Sequence, residues 1–216
     1  MRLAHISDCH GHFQDIHFKN NIIINSGDWF PDCSSAWSKK SVKEERQKEY
    51  FYKNINKIKS WIGSKPYFFI NGNHDFVKSD DLENMFQTNG INAKSLENKI
   101  VSYENLTMYG FPYAPYINGN FNYELTPDDM VYKVNELINI LDTNFVDVLV
   151  LHCPIKGELS SETFTDYGNL ILRDKLLSLD KDKIPGLILC GHLHEASGVK
   201  YSYDFDWIFS IYSNFF

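Results

Sequence analysis

The sequence predicts an α/β architecture, on two observations: short apolar runs alternate with stretches of helical periodicity, and five of those runs each end on a polar cluster. Arg2 to Ile6 leads into Ser7-Asp8-Cys9-His10, and Asn21 to Asn25 into Gly27-Asp28. Between this run and the next, Lys39 to Glu49 mixes Lys39, Lys40, Lys43, Arg46 and Lys48 with Glu44, Glu45 and Glu49, which predicts a solvated helix face. Phe51, Ile55, Ile58 and Ile62 continue that helix with one apolar stripe. Tyr67 to Ile70 is the third strand and delivers Gly72-Asn73-His74-Asp75. Ser79 reads as the N-cap of a second helix carrying Leu82, Met85 and Phe86, with Gly90 as its stop.

From Lys99 to Tyr123 the pattern changes to alternation broken by Gly110, Pro112, Pro115 and Gly119, so a hairpin followed by an ordered loop is expected. Thr126-Pro127-Asp128-Asp129 is the clearest helix start in the chain: a cap, a first-turn proline and two acids ahead of Met130, Val134, Leu137 and Leu141. Val146 to Leu151 then meets His152-Cys153-Pro154, a fourth helix carries Leu172, Leu176 and Leu179, and Gly186 to Cys190 meets Gly191-His192-Leu193-His194. The strand-like segment Trp207 to Phe216 is expected to close a sheet.

The bulk composition narrows the function. The chain has 216 residues, 43% of them hydrophobic and 23% charged, which is a globular mix and enough to bury a sizeable core in one domain spanning 1–216. A formal net charge of -7 argues against a basic surface that holds long nucleic acid, and for a small substrate. Four cysteines (Cys9, Cys33, Cys153, Cys190) show no C-x-x-C spacing, and no charged, apolar, cleavable leader opens the chain, so a reducing cytosol is the expected location. No apolar run approaches the ~20 residues needed to span a bilayer. Oligomeric state is not readable from the sequence.

The polar clusters at the strand ends carry the chemistry, because the crevice at the carboxyl ends of strands is where α/β folds bind ligands. Asp8 and His10 lie two apart, so in extended chain both side chains point the same way, and His192 and His194 repeat that spacing. Carboxylate and imidazole together suit Mn²⁺, Fe²⁺ or Zn²⁺. Cys9, Cys153 and Cys190 sit beside motif residues, but neighbours in a strand face opposite sides, which makes them small core groups and not thiolate ligands. His12 and His17 read as surface positions. Asp75 either orients a neighbour or caps the following turn. Trp29, Tyr113 and Tyr116 read first as packing residues, with stacking on a base at the site rim as the alternative.

In their order along the chain, Asp8-Cys9-His10, Gly27-Asp28, Gly72-Asn73-His74-Asp75, His152 and Gly191-His192-Leu193-His194 resemble the motif set of the calcineurin-like metallophosphoesterases. The resemblance implies two β-sheets packed face to face with helices outside, a four-layer sandwich. It also implies two divalent transition-metal ions: Asp8, His10 and His194 on one, Asn73, His152 and His192 on the other, and Asp28 bridging them. Mn²⁺ is favoured over Fe²⁺ and Zn²⁺. Asn73 and His74 would contact substrate, with His74 as general acid. Two cations ~3.5–4 Å apart clamp phosphoryl oxygens and acidify a bridging water that attacks phosphorus in line.

The resemblance also implies what the substrate is not. Protein phosphatases of this superfamily carry G-D-x-x-D-R-G and G-N-H-E, where this chain has Gly27-Asp28-Trp29-Phe30-Pro31-Asp32 and Asp75. The strings from Gly191 to Gly198 and Gly110-Phe111-Pro112 resemble small single-domain phosphodiesterases instead, implying a small nucleotide-type phosphoester. Two alternatives stay open: a nuclease of the recombination-exonuclease type, against which the acidic balance counts, and a non-catalytic scaffold, against which the complete ligand set counts.

Overall fold

The computed structural model describes residues 2–13, 22–155 and 168–194, together with the strand backbones of Lys200–Ser202 and Phe209–Tyr212. The first sheet is wholly parallel, in the order β1 (Leu3–Ile6), β2 (Ile22–Asn25), β3 (Tyr67–Phe69), β4 (Ala93–Ser95). After a hairpin of β5 (Ile100–Tyr103) and β6 (Leu106–Phe111), a two-stranded pair forms from β7 (Ala114–Pro115) and β8 (Glu124–Leu125). The second sheet holds that hairpin together with β9 (Val148–Leu151), β10 (Leu187–Cys190), β11 (Lys200–Ser202) and β12 (Phe209–Tyr212). Its order is β11-β12-β10-β9-β6-β5; the four central strands run parallel, and β5 and β11 are antiparallel edges.

The pleat decides the layers. Side chains alternate across a strand, so in β2 Ile22 and Ile24 face the second sheet while Ile23 faces the other way. Ile22, Ile24, Phe68 and Ile70 meet Met108, Val148, Val150 and Leu189 between the sheets. Ile23, Tyr67 and Phe69 pack on α1 (Lys40–Ile62) and α2 (Ser79–Thr88) through Phe51, Ile58, Leu82 and Phe86. On the far side Phe111, Leu149, Leu151 and Ile188 pack on α3 (Pro127–Thr143) and α4 (Leu170–Leu177). The result is helix, sheet, sheet, helix. A parallel strand covered on both faces reads as a continuous apolar run, which is why Ile22-Ile23-Ile24 and Val148-Leu149-Val150-Leu151 are so legible.

Local signals hold with three corrections. Thr126 caps α3 by accepting the Asp129 N–H at 3.3 Å, with Pro127 in the first turn. Gly90, at φ +75°, follows the C-cap Asn89 of α2, the left-handed position glycine fills without penalty. The cap of α2, however, is Lys78 and not Ser79, whose buried hydroxyl hydrogen-bonds Glu97 instead. Leu179 lies beyond α4 yet still packs on that core. The charge-rich start of α1 is not wholly solvated, since Lys43 and Gln47 are buried. Of the strand-like C-terminal segment, Phe209–Tyr212 forms β12, and its flanks lie outside the described residues. No helix among the described residues is long and apolar enough to cross a membrane.

Leu137, 1% exposed on the inner face of α3, tests the outer layer. Leu137→Ala is expected to cost about 2–5 kcal/mol through lost transfer energy and a residual cavity. Urea unfolding followed by circular dichroism should show a lower midpoint at an unchanged slope.

Candidate metal centre

Each strand predicted to end on a polar cluster delivers its residues to one crevice. Asp8 and His10 follow β1, Asp28 follows β2, Asn73 and His74 follow β3, His152 follows β9, and His192 and His194 follow β10. The ladder between the first two segments continues past the strands: the Asp8 N–H donates to the Gly27 carbonyl at 2.9 Å and the His10 N–H to the Asp28 carbonyl at 3.0 Å. In the second sheet the β9–β10 ladder likewise continues, with the Gly191 N–H donating to the His152 carbonyl at 3.0 Å. Two glycines are required by proximity. A Cβ at Gly72 would strike the Asp28 carboxylate and the His152 ring, and one at Gly191 would strike Ser7 and Asp8.

The side chains converge by turn geometry and not by strand alternation, which corrects the expectation for both x-apart pairs. Asp8, His10, Asp28 and His192 all have left-handed backbones, at φ 52°, 42°, 53° and 70°. Asp and His tolerate this region better than most residues, and such conformations persist where surrounding contacts impose them. His192 and His194 therefore diverge. His192 Nδ1 lies 3.1 Å from Asn73 Oδ1, whereas His194 Nε2 lies 3.4 Å from Asp8 Oδ1.

Two overlapping groups result. In one, ligand atoms of Asp8, His10 and His194 lie within 4.8 Å of one another; in the other, those of Asp8, Asp28 and His152 do. Asp8 belongs to both, and Asp28, in the second, reaches toward the first. Its Oδ1 accepts the His74 N–H at 2.8 Å, and its Oδ2 lies 3.9 Å from His10 Nε2 and 3.5 Å from His152 Nε2. Asn73 Oδ1, 2.8 Å from His152 Nε2, joins the second group together with His192. All seven residues expected to hold metal are thus in one place.

The donor set fits cations. His152 Nδ1 lies 3.0 Å from the Ser26 carbonyl and Nε2 2.8 Å from Asn73 Oδ1, both acceptors. An imidazole with one N–H satisfies only one of them; with the carbonyl served, Nε2 turns a lone pair toward another acceptor, and a cation reconciles the two. Burial lowers the pKa of His10, against the pull of Asp28 and Asp8, and that of His192 to about 4, so both imidazoles offer lone pairs at neutral pH. Asp8, 3% exposed, is desolvated, yet hydrogen bonds from His194 and Ser7 keep its carboxyl below the usual range.

His74 sits at the edge of this set. Its ring lies 5.1 Å from that of His10, and its Nδ1–H donates to Asp32 at 2.9 Å, which points Nε2 elsewhere. Burial disfavours its charge, but the Asp32 bond and the charges of Asp28, Asp32 and Asp75 prevail and lift the pKa to about 9. Asp32 was not singled out from the sequence as a site residue; its only signal is its place four residues after Asp28. Asp75 settles the alternatives left open for it. Fully buried, its Oδ1 accepts the N–H groups of Trp29 and Phe30 at 2.9 and 3.0 Å, and its Oδ2 that of Gly72 at 2.8 Å. It locks the Asp28 loop to the Asn73 loop.

Gln47 does the same from α1. It donates to the His74 carbonyl at 2.7 Å and accepts the Phe76 N–H at 2.7 Å. Nothing in a charge-rich helical stretch signals that role. Trp29 is 2% exposed in the first core and so cannot stack on a ligand at the rim; Tyr113 packs on Phe111, and Tyr116 is exposed. Cys9, Cys153 and Cys190 are buried, and burial pushes all the resolved thiols among them, Cys9 and Cys153, upward. His12 is exposed, and His17 lies outside the described residues.

A family model described as calcineurin-like phosphoesterase matches residues 1–205. No curated protein matches the sequence. Among solved structures, a putative 5'-nucleotidase from Staphylococcus aureus in complex with alpha-ketoglutarate aligns at TM-score 0.53 and 14% identity. That alignment covers 97% of this chain and 48% of the other. Sulfate thiohydrolase SoxB from Thermus thermophilus aligns at TM-score 0.43 and 12% identity over 89% of this chain and 33% of the other. The chain spans about half the length or less of these structures, and at 14% identity the likeness to the first speaks to fold alone.

The geometry makes a metal-content prediction. Reconstituted protein should hold two divalent cations per chain by elemental analysis. Asp28→Asn, which removes the negative charge between the two groups, should bring the content to one equivalent or fewer. Two equivalents retained in that variant would show that Asp28 is not shared.

Proposed function

The chain belongs to the calcineurin-like phosphoesterase family of dinuclear-metal-dependent hydrolases, and from that premise we propose that it is a phosphodiesterase for a small, nucleotide-type substrate, folded as one domain. The observation that carries hydrolysis is the convergence of seven metal-ligating groups from five loops, with His74 beside them and outside the ligand set.

Asp8, His10 and His194 would hold one cation, Asn73, His152 and His192 the other, and Asp28 both. When bound, the cations supply Lewis-acid stabilisation of the phosphoryl oxygens and a water acidified to near neutral pH. The chain supplies the rest. Asp75 and Gln47 hold the loops bearing Asp28 and His74 in register, so the site is positioned before substrate arrives. Asp32 fixes the tautomer and orientation of His74, leaving Nε2 to protonate the departing alkoxide, a contribution worth ~10²–10⁴ in rate.

Preference for diesters is supported by the departure from the phosphatase-type pattern. A terminal phosphate monoester carries a second negative charge, which guanidinium groups serve well. Of the chain's three arginines, Arg46 pairs with Glu49 on the exposed face of α1, and the phosphatase-type arginine position, four residues after Asp28, is Asp32. The mix of carboxylate, amide oxygen and imidazole accommodates Mn²⁺, Fe²⁺ or Zn²⁺, with manganese the expected restorer of activity. Four free thiols suit a reducing compartment such as the cytosol.

Hydrolysis of bis(p-nitrophenyl) phosphate should exceed that of p-nitrophenyl phosphate, should vanish on chelation and should return best with Mn²⁺ among Mn²⁺, Fe²⁺ and Zn²⁺. A clear monoester preference overturns the diester reading.

A second measurement separates roles. His74→Asn should keep both cations while losing ~10²–10⁴ in rate on a diester with a poor, alkyl leaving group. On p-nitrophenyl esters, whose leaving group departs without a proton, the loss should be distinctly smaller. A lost cation, or equal losses on both, would recast His74 as a ligand or a phosphate anchor.

A further inference from the structure

Beside His74 the crevice opens into a cavity of about 130 Å³ whose walls include Asp32, Gln47, Phe76, Phe121 and Lys43. Lys43 is the unusual member. It is 7% exposed, and its ammonium donates to the backbone carbonyl of Asn120 at 3.0 Å. The ammonium also lies 4.6 Å from the Phe76 ring centroid and 5.9 Å from that of Phe121. By contrast Lys48 of α1, and Lys94 and Lys99 elsewhere in the chain, each meet a carboxylate at the surface. Lys43 forms no ion pair with a carboxylate among the described residues.

An ammonium carries three donors, and a buried charge is normally paired with an opposite one. Here a neutral carbonyl and two ring faces are its partners. Asp32, the acid nearest in the cavity wall, spends an oxygen on His74 and is 68% exposed, so water screens what remains of its charge. The cavity thus holds a positive charge that Asp32 offsets only from a distance, with the Phe76 and Phe121 rings beside it and His74 in the same wall. His74 marks the side from which the leaving group departs.

Resting on the reading of this centre as a phosphodiesterase, we propose that the Lys43 cavity is the leaving-group subsite, and that it selects substrates whose leaving group carries a second anionic group, a carboxylate or phosphate, on a flat or ring-like body. The body lies against Phe121, whose ring is 4.7 Å from that of His74, and the anion completes the coordination of the Lys43 ammonium. The simpler role for Lys43 is to staple the loop. Lys40 donates to the Phe121 carbonyl at 2.5 Å in parallel with the Lys43 bond to Asn120, so both tie α1 to residues 120–121. The two roles differ in what they predict for charge on the substrate.

Two synthetic diesters separate them: methyl 4-nitrophenyl phosphate and its 3-carboxy derivative, which differ in the charge on the leaving group. The manganese-loaded wild type should favour the carboxylated ester in kcat/KM. In Lys43→Met that preference should fall about tenfold to a hundredfold, the value of a hydrogen bond to a charged group, and Lys43→Arg should keep most of it. If Lys43→Met slows both esters in proportion, Lys43 is a staple and the subsite is overturned while the hydrolase reading stands. A wild type that prefers the uncharged ester overturns the subsite as well. If the wild type cleaves neither ester, nor bis(p-nitrophenyl) phosphate, the phosphodiesterase reading fails and the subsite with it.

Discussion

Two carboxylates, Asp8 and Asp28, are buried at 3% and 2% exposure in a crevice surrounded by imidazoles, and the rest of the structure is arranged around that circumstance. A buried anion is costly unless paired. The protein supplies partial compensation: backbone N–H groups of His192 to Asp8 and of His74 to Asp28. The second oxygen of Asp28 faces His10, whose protonation burial disfavours, so that charge is left for cations. The same desolvation that makes the metal-free crevice unfavourable makes it a strong cation trap, and cation binding contributes to the stability of the loaded fold.

That arrangement explains why backbone strain gathers there. Four ligands adopt left-handed φ values, and two glycines sit where any side chain would enter the carboxylates. Such conformations need support from beyond the ligands themselves. Asp75 provides it between the Asp28 and Asn73 loops, using three backbone donors, and Gln47 provides it from the helix. Burial drives the Asp75 carboxyl upward, and the neighbouring Asp28 charge adds to that, whereas the N–H groups of Phe30 and Gly72 favour its ionised form.

The first helix has two functions along one face. Its later turns, Phe51, Ile58 and Ile62, are core residues against the first sheet. Its earlier turns place Lys43 and Gln47, four apart and so on the same side, against the His74 loop and the cavity. A single rigid element therefore sets the spacing between the core, His74 and the Lys43 cavity. The hairpin and the loop to residue 123 are pinned to it from the other side through Asn120 and Phe121.

The five strands that end at the crevice, three of the four helix registers and the identity of every proposed ligand were legible in the sequence by itself. Fully buried parallel strands are written as unbroken apolar runs, α3 carries its own cap, and metal centres demand particular residue types directly after strands. Other parts only the tertiary structure decided. The directions of Asp8, His10 and His192 come from left-handed turns that alternation does not describe, because these residues lie past the strand ends where neighbouring loops dictate φ. Asp32, Asp75, Gln47 and Lys43 take their roles from contacts 42, 46, 27 and 77 residues away in the chain, reaching His74, Trp29, the His74 carbonyl and Asn120. A charged or amide side chain looks the same in sequence whether solvent or a distant backbone receives it, and folding makes that choice by bringing the receiver within hydrogen-bonding distance.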